Sequence, residues 1–217
     1  MNYPFIKIKT KLKSQWIERF GILRQIFTTD EVQRVLDLEE RFTFSDAKIF
    51  SRQMSPDGLS TIDTAHVAKE IRLTDTVHIQ QLDESQWIMD KLQDIISEAN
   101  YDLFLYNIEY LEGPLFLRYH GDTDSDNQGR YAPHRDTNAD YGDTQRVISG
   151  IIMLSDRSEY TGGDLHIDIH GNYQPDNIEL NKGDMVLFNS YCTHYVTNVE
   201  SGTRKVLVFW VRGSESL

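Results

Sequence analysis

The chain has 217 residues, 34 acidic and 22 basic, for a formal charge of −12. That balance disfavours a nucleic-acid backbone as the main partner, because phosphate binding needs a cationic footprint. With 39% hydrophobic and 26% charged residues, the chain reads as one globular unit able to bury a core. Its single cysteine, Cys192, excludes an internal disulfide and fits a reducing, cytoplasmic compartment. No apolar run approaches the roughly 20 residues of a membrane span.

In chain order, Met1–Lys13 alternates apolar and basic residues, a strand-like period rather than a signal peptide's apolar block. Thr29 suits an N-cap, with Asp30 and Glu31 in the first turn and Val32, Val35 and Leu36 on one helical face. A second helix is predicted over Glu84–Ala99, with Ile88, Leu92, Ile95, Ile96 and Ala99 on one stripe. Asp83 and Gln86 suit a capping box there, and Asn100 suits the stop. From Phe104 the pattern turns β-rich. Strands are predicted at Phe104–Ile108, Leu115–Tyr119, Val147–Leu154, Leu165–Ile169, Met185–Phe188 and Lys205–Val211, separated by turns such as Gly162-Gly163 and Lys182-Gly183-Asp184. The expected architecture is mainly β with flanking helices, a double-sheet jelly roll. It is read as one domain, with 1–100 mostly a helical support and 101–217 the jelly-roll core.

Chemistry concentrates at His134-Arg135-Asp136, His194 and Arg204. On a strand, positions i and i+2 share a face, so His134 and Asp136 can aim at one point. A distant His194 would complete a facial set of two histidines and one carboxylate. That set suits Fe(II) and leaves three coordination positions open, two for the keto-acid end of 2-oxoglutarate and one for O2. Arg204, ten residues after His194, can grip the far carboxylate of 2-oxoglutarate with its planar fork.

Two other groups compete. His166-Ile167-Asp168 repeats the pattern, but Leu165, Ile167 and Ile169 take the core face of that strand, which turns His166 and Asp168 toward water. Asp122, Asp124 and Asp126 resemble a calcium loop, yet Asn127 replaces the glycine and Pro133 the bidentate glutamate that such a loop needs. This polar stretch, Gly121–Arg130, is read either as a lid over the substrate or as a solvated excursion.

The ordered pieces together resemble the prolyl 4-hydroxylase-like branch of the 2-oxoglutarate/Fe(II) dioxygenases, from about Val67 to Arg212. They are Tyr131-Ala-Pro-His134-Arg-Asp136, the run Val147–Asp156, Gly162-Gly163-Asp164-Leu165, Lys182-Gly183-Asp184, and His194 through Gly202-Thr203-Arg204 to Phe209-Trp210. The resemblance implies a double-stranded β-helix, with His134, Asp136 and His194 as iron ligands and Arg204 as the 2-oxoglutarate anchor. It implies that Tyr119 bonds the same carboxylate. Met153 stands where some relatives carry a second tyrosine, so an apolar wall is expected there, with Leu165, Val206 and Val208 lining the same pocket. The cofactor set is Fe(II), 2-oxoglutarate and O2, with ascorbate as an optional reductant. The reaction is hydroxylation of an aliphatic C–H of an amino-acid-type, peptide or other small substrate, releasing succinate and CO2. Retention of Asp136 separates the chain from related halogenases, and Trp210 replaces the second arginine of the nucleic-acid demethylases. A non-catalytic jelly-roll module and a cupin-type metal enzyme are the competing readings.

Overall fold

A computed structural model describes residues 20–54, 61–79, 83–137 and 144–215. The strand-like reading of Met1–Lys13 lies outside them. The chain runs through β1 (Phe20–Leu23), α1 (Thr29–Asp37), β2 (Ser45–Asp46), β3 (Ile49–Met54), β4 (Thr61–His66), β5 (Arg72–Leu73), β6 (Asp75–His78) and α2 (Gln86–Ala99). It continues as β7 (Tyr106–His120), β8 (Arg130–His134), β9 (Gln145–Met153), β10 (Tyr160–Gly162), β11 (Leu165–Ile167) and β12 (Asp176–Asn177). The last strands are β13 (Met185–Asn189), β14 (His194–Val196) and β15 (Val199–Glu215).

Two antiparallel sheets face one another. The major sheet runs β1-β13-β9-β15-β7-β6-β2, with β10 attached to β15. The minor sheet runs β12-β11-β14-β8-β5. The jelly-roll expectation therefore holds. Because β5 belongs to the minor sheet and β6 to the major one, residues 72–78 strap the two sheets together. The Thr74 hydroxyl fixes that crossing by donating to the Arg118 carbonyl at 2.9 Å.

The central strands β9 and β13 and the middle of β15 are buried on both faces, which is why they read as near-continuous apolar runs. Ile151 and Met153 of β9, Val206 and Val208 of β15 and Leu117 and Tyr119 of β7 point between the sheets. Ile148 and Ile152, Leu207, Phe209 and Val211, and Phe116 point the other way, onto Val32 and Val35 of α1 and Ile88, Leu92 and Ile96 of α2. Burial on the helical side fixes the scaffold, and the inter-sheet side is left to hold a site.

Several sequence expectations shift. The helix cap is Thr28, not Thr29; its hydroxyl accepts the Glu31 N–H while Glu31 bonds back to the Thr28 N–H. The second helix starts at Gln86 after a single 3-10 turn, Asp83–Ser85, and its N-cap Ser85 makes no side-chain capping bond. Asn100 does not stop the chain there: a π turn, Asn100–Phe104, follows, and left-handed Leu105 ends it. The Asn100 amide clamps both the N–H and the carbonyl of Tyr106. The strands predicted at Phe104–Ile108 and Leu115–Tyr119 are one strand, β7, held together by its long ladder with β15. The described residues of 20–100 are not mostly helical, since six short strands share that stretch with the two helices. Short strands of two to six residues carry too little alternation to register as a period. No helix among the described residues is long and apolar enough to cross a membrane.

Candidate active site

The site lies where β8 and β14 end against β9. His134 and His194 are register partners on the minor sheet. Asp136 lies two residues beyond the end of β8, and its N–H still donates to the Ser190 carbonyl at 3.1 Å. The i, i+2 geometry thus survives past the strand. His134 Nε2 stands 3.6 Å from one Asp136 oxygen and His194 Nε2 3.5 Å from the other. One donor atom from each residue falls within 4.8 Å of the others.

Each group is oriented from behind. His134 Nδ1 lies 2.9 Å from the Ala132 carbonyl and His194 Nδ1 3.1 Å from the Cys192 carbonyl. A carbonyl only accepts, so both Nδ1 atoms carry the proton and both Nε2 lone pairs point at the convergence. The Ser149 hydroxyl donates to Asp136 at 2.7 Å and lies 2.9 Å from the Ser190 hydroxyl. Tyr131 stacks on His134 at 3.5 Å, and Phe188 meets His194 edge-on.

The electrostatics match. Burial, and then the charge of His194, push His134 down to about 3, so it is neutral at pH 7 as a ligand must be. Burial works against the Asp136 carboxylate, but His194, His134, Ser149 and Trp210 outweigh it and hold the group below its ordinary value. Two imidazoles, each with its Nδ1 against a carbonyl, and one carboxylate with open space beside them form the donor set that suits Fe(II).

That space is a cavity of about 700 Å³ between the sheets, lined by Tyr119, Ile151, Leu165, Val196, Val208 and Trp210 together with the three converging residues. Beside Tyr119 lies Arg204, only 1% exposed. Its guanidinium carbon stands 5.4 Å from the Tyr119 ring centre. Arg204 Nε and Nη2 have no hydrogen-bond partner among the described residues. Room for this side chain comes from Gly163: a Cβ there would stand 2.8 Å from Val199 and 3.1 Å from Arg204 Cδ, and its φ of +65° favours glycine. A buried arginine with idle donors is costly unless an anion completes it. A carboxylate of 2-oxoglutarate fits that demand.

Other expectations need correction. Met153 does not line this cavity; it is 3% exposed in the inter-sheet core, with the Tyr160 hydroxyl 4.0 Å from its sulfur. Val206, its partner across the ladder, is buried likewise. Asp168 does not meet water: it is 7% exposed and accepts the N–H groups of Asn172 and Tyr173, closing a turn. His166 stacks on Tyr195 at 4.7 Å on the outer side. Of the two readings of Gly121–Arg130, the solvated excursion is favoured, because none of those residues lines the cavity. Asp122 and Asp124 accept backbone N–H groups within the loop, and Arg130 spends its guanidinium on the carbonyls of Ser125, Asp126, Gln128 and Lys69.

Sequence reasoning missed Ser149, Trp210, Arg72 and Arg146, all of which line the cavity. Ser149 had a readable signal, a hydroxyl on the inward face of a strand otherwise filled by isoleucine and methionine.

Residues 115–212 match the sequence profile of the 2OG-Fe(II) oxygenase superfamily. A PKHD-type hydroxylase of Acinetobacter baumannii (strain AYE) is 35% identical over 143 residues, 61% of this chain and 59% of the relative. The chain therefore spans about three-fifths of the length of the relatives it matches. The prolyl hydroxylase of Trichoplax adhaerens, solved with a hypoxia-inducible-factor peptide fragment, superposes with a TM-score of 0.67 at 19% identity, covering 89% of this chain and 83% of that one. A Pseudomonas putida prolyl-4-hydroxylase gives 0.64 at 18% identity, covering 89% and 92%. These two share the fold.

Proposed function

We propose that this chain, which belongs to the 2-oxoglutarate/Fe(II) oxygenase superfamily, is a hydroxylase acting on an aliphatic C–H of an amino-acid-type or peptide substrate. The observation that carries the reading is the pairing of two features: three converging donors, and a buried arginine whose Nε and Nη2 lack partners. A non-catalytic metal module would have no use for the second. We assign the metal to His134 Nε2, His194 Nε2 and an Asp136 oxygen, and the far carboxylate of 2-oxoglutarate to Arg204 with Tyr119 beside it.

When bound, Fe(II) with 2-oxoglutarate and O2 supplies the oxidant for hydroxylation, and 2-oxoglutarate leaves as succinate and CO2. The chain's own share is positioning and exclusion of water. The carbonyls of Ala132 and Cys192 hold both Nδ1 atoms, which leaves each Nε2 facing the proposed metal position. Ser149 holds the Asp136 carboxylate toward them. Leu165 and Val208 keep water from the space between the donors and Arg204. The cavity is wide enough for a co-substrate and part of a second molecule. The lone Cys192 fits a reducing, cytoplasmic setting.

Succinate formation from 2-oxoglutarate, measured over a panel of peptides and free amino acids with Fe(II), tests the assignment. Stimulation by one class, abolished in His134→Ala and in His194→Ala but retained in His166→Ala, is the expected result. Turnover that survives loss of either histidine would overturn it.

A further inference from the structure

The cavity is lined by both signs of charge, and the balance between them is informative. Its carboxylates are committed. Glu112 is clamped by Arg146 and Arg212, Asp46 pairs with Lys69 at 3.2 Å, and Asp136 belongs to the donor set. Apart from Arg146, which pairs with Glu112, its arginines and lysine are not. Among the described residues Arg72, Arg135 and Lys48 all line the cavity without an acidic partner. This happens in a chain of formal charge −12, where a free carboxylate would be the easier neighbour to supply.

Arg72 is the most built of the three. It opens β5 as the register partner of Tyr131. Its guanidinium carbon lies 4.6 Å from the Tyr131 ring centre, and Tyr131 in turn stacks on His134 at 3.5 Å. The guanidinium therefore lies no farther from the His134 ring than the sum of those two distances. Its Nε is buried without a hydrogen-bond partner, as is the hydroxyl of Thr76, which lines the same cavity from β6. Leaving such groups buried and unpaired carries a desolvation cost that an anionic ligand would relieve. The arginine is also pre-organised, since stacking on Tyr131 holds the fork in place.

We propose that Arg72 and Thr76 form an anion subsite for the substrate, distinct from Arg204, and that the substrate carries a carboxylate close to the carbon that reacts. Arg135 and Lys48, both exposed, attract the same charge from solution. This rests on the hydroxylase reading and narrows its substrate class to acids. The carboxylate belongs either to an acidic side chain or to a free α-carboxyl group.

The test is calorimetric titration of the protein alone and of the protein loaded with Mn(II) and N-oxalylglycine, which fills the co-substrate position without turnover. Two pairs of probes are used. Acetyl-glutamate methylamide against acetyl-glutamine methylamide reports a side-chain carboxylate, and acetyl-proline against acetyl-prolinamide reports a free α-carboxyl. In at least one pair the acid should bind about tenfold tighter than its amide, or more. Arg72→Gln should erase that preference while still binding N-oxalylglycine, Arg72→Lys should keep part of it, and Arg130→Gln should keep all of it. Equal or absent binding of acid and amide in both pairs, or a preference that survives Arg72→Gln, overturns the subsite. Failure of the wild-type protein to bind Mn(II) and N-oxalylglycine would instead strike the hydroxylase reading, since the acid preference of the protein alone still reports on Arg72.

Discussion

His134 and His194 face each other across the β8–β14 ladder with ring centroids 4.1 Å apart, and each has its Nδ1 against the carbonyl two residues before it. One local motif, used twice, thus turns the Nε2 atoms of the two proposed ligands toward the same point. The third ligand has no such backbone device and depends on a side chain, which leads to the first prediction.

Ser149→Ala removes the 2.7 Å hydrogen bond to Asp136. Outer partners of this kind typically hold 10–100-fold in metal affinity. Titration of Mn(II) or Fe(II) should show a loss of about that size with the fold intact. An affinity equal to the parent's would mean that Asp136 is held by Ser190 and Trp210 alone.

Arg204→Met should move stability and binding in opposite directions. A buried guanidinium with idle donors carries a desolvation cost, so replacing it by an apolar chain of similar length should raise the ligand-free melting temperature, by about 1–3 kcal/mol in stability. The same change should raise the 2-oxoglutarate requirement by tens- to thousands-fold, corresponding to about 2–5 kcal/mol. Arg204→Lys should fall between for binding. Thermal denaturation alongside 2-oxoglutarate titration checks both signs; a destabilised variant would show that Arg204 is already satisfied.

Glu112 links the cavity wall to acid stability. Burial raises its pKa, but the hydrogen bonds and charges of Arg146 and Arg212 win and hold it below the ordinary 4.5. A carboxylate depressed on folding stabilises the protein fully above its unfolded pKa, and that share is lost as pH falls through the folded value. Glu112→Gln should therefore cost about 1 kcal/mol near neutrality, discounted because the side chain is 33% exposed, and nothing once pH lies below the folded value. Denaturant unfolding at several pH values checks this; a constant cost across the range would remove the ion pair from the account.

Replacing residues 122–128 with a Gly-Ser linker should lower stability without uncoupling turnover. The turn there is closed by Asp122, Asp124 and Asn198, and it does not reach the cavity. The ratio of succinate to hydroxylated product reports coupling. A ratio that rises would restore the lid.

The site was more legible than the elements around it. His134 and Asp136 share a face by the simple strand period, and the glycine turn at 162–163 stood at the right distance from Arg204. Arg72 was invisible because its meaning comes from Tyr131, 59 residues away in sequence and opposite it in the ladder. The extent of β7 was hidden for a similar reason, since Tyr106–His120 takes its continuity from pairing with β15 rather than from its own alternation. Met153 was placed on the correct face of β9, but sequence cannot say how deep the inter-sheet void runs, and Met153 is not among the residues that line it.

The most direct measurement is an anaerobic ultraviolet–visible titration of the Fe(II)-loaded protein with 2-oxoglutarate. The account predicts a weak charge-transfer band toward the visible that saturates at one 2-oxoglutarate per chain. It also predicts that the band disappears in His194→Ala and needs far more 2-oxoglutarate in Arg204→Ala. Absence of the band in the wild-type protein, or a band indifferent to both substitutions, would contradict it.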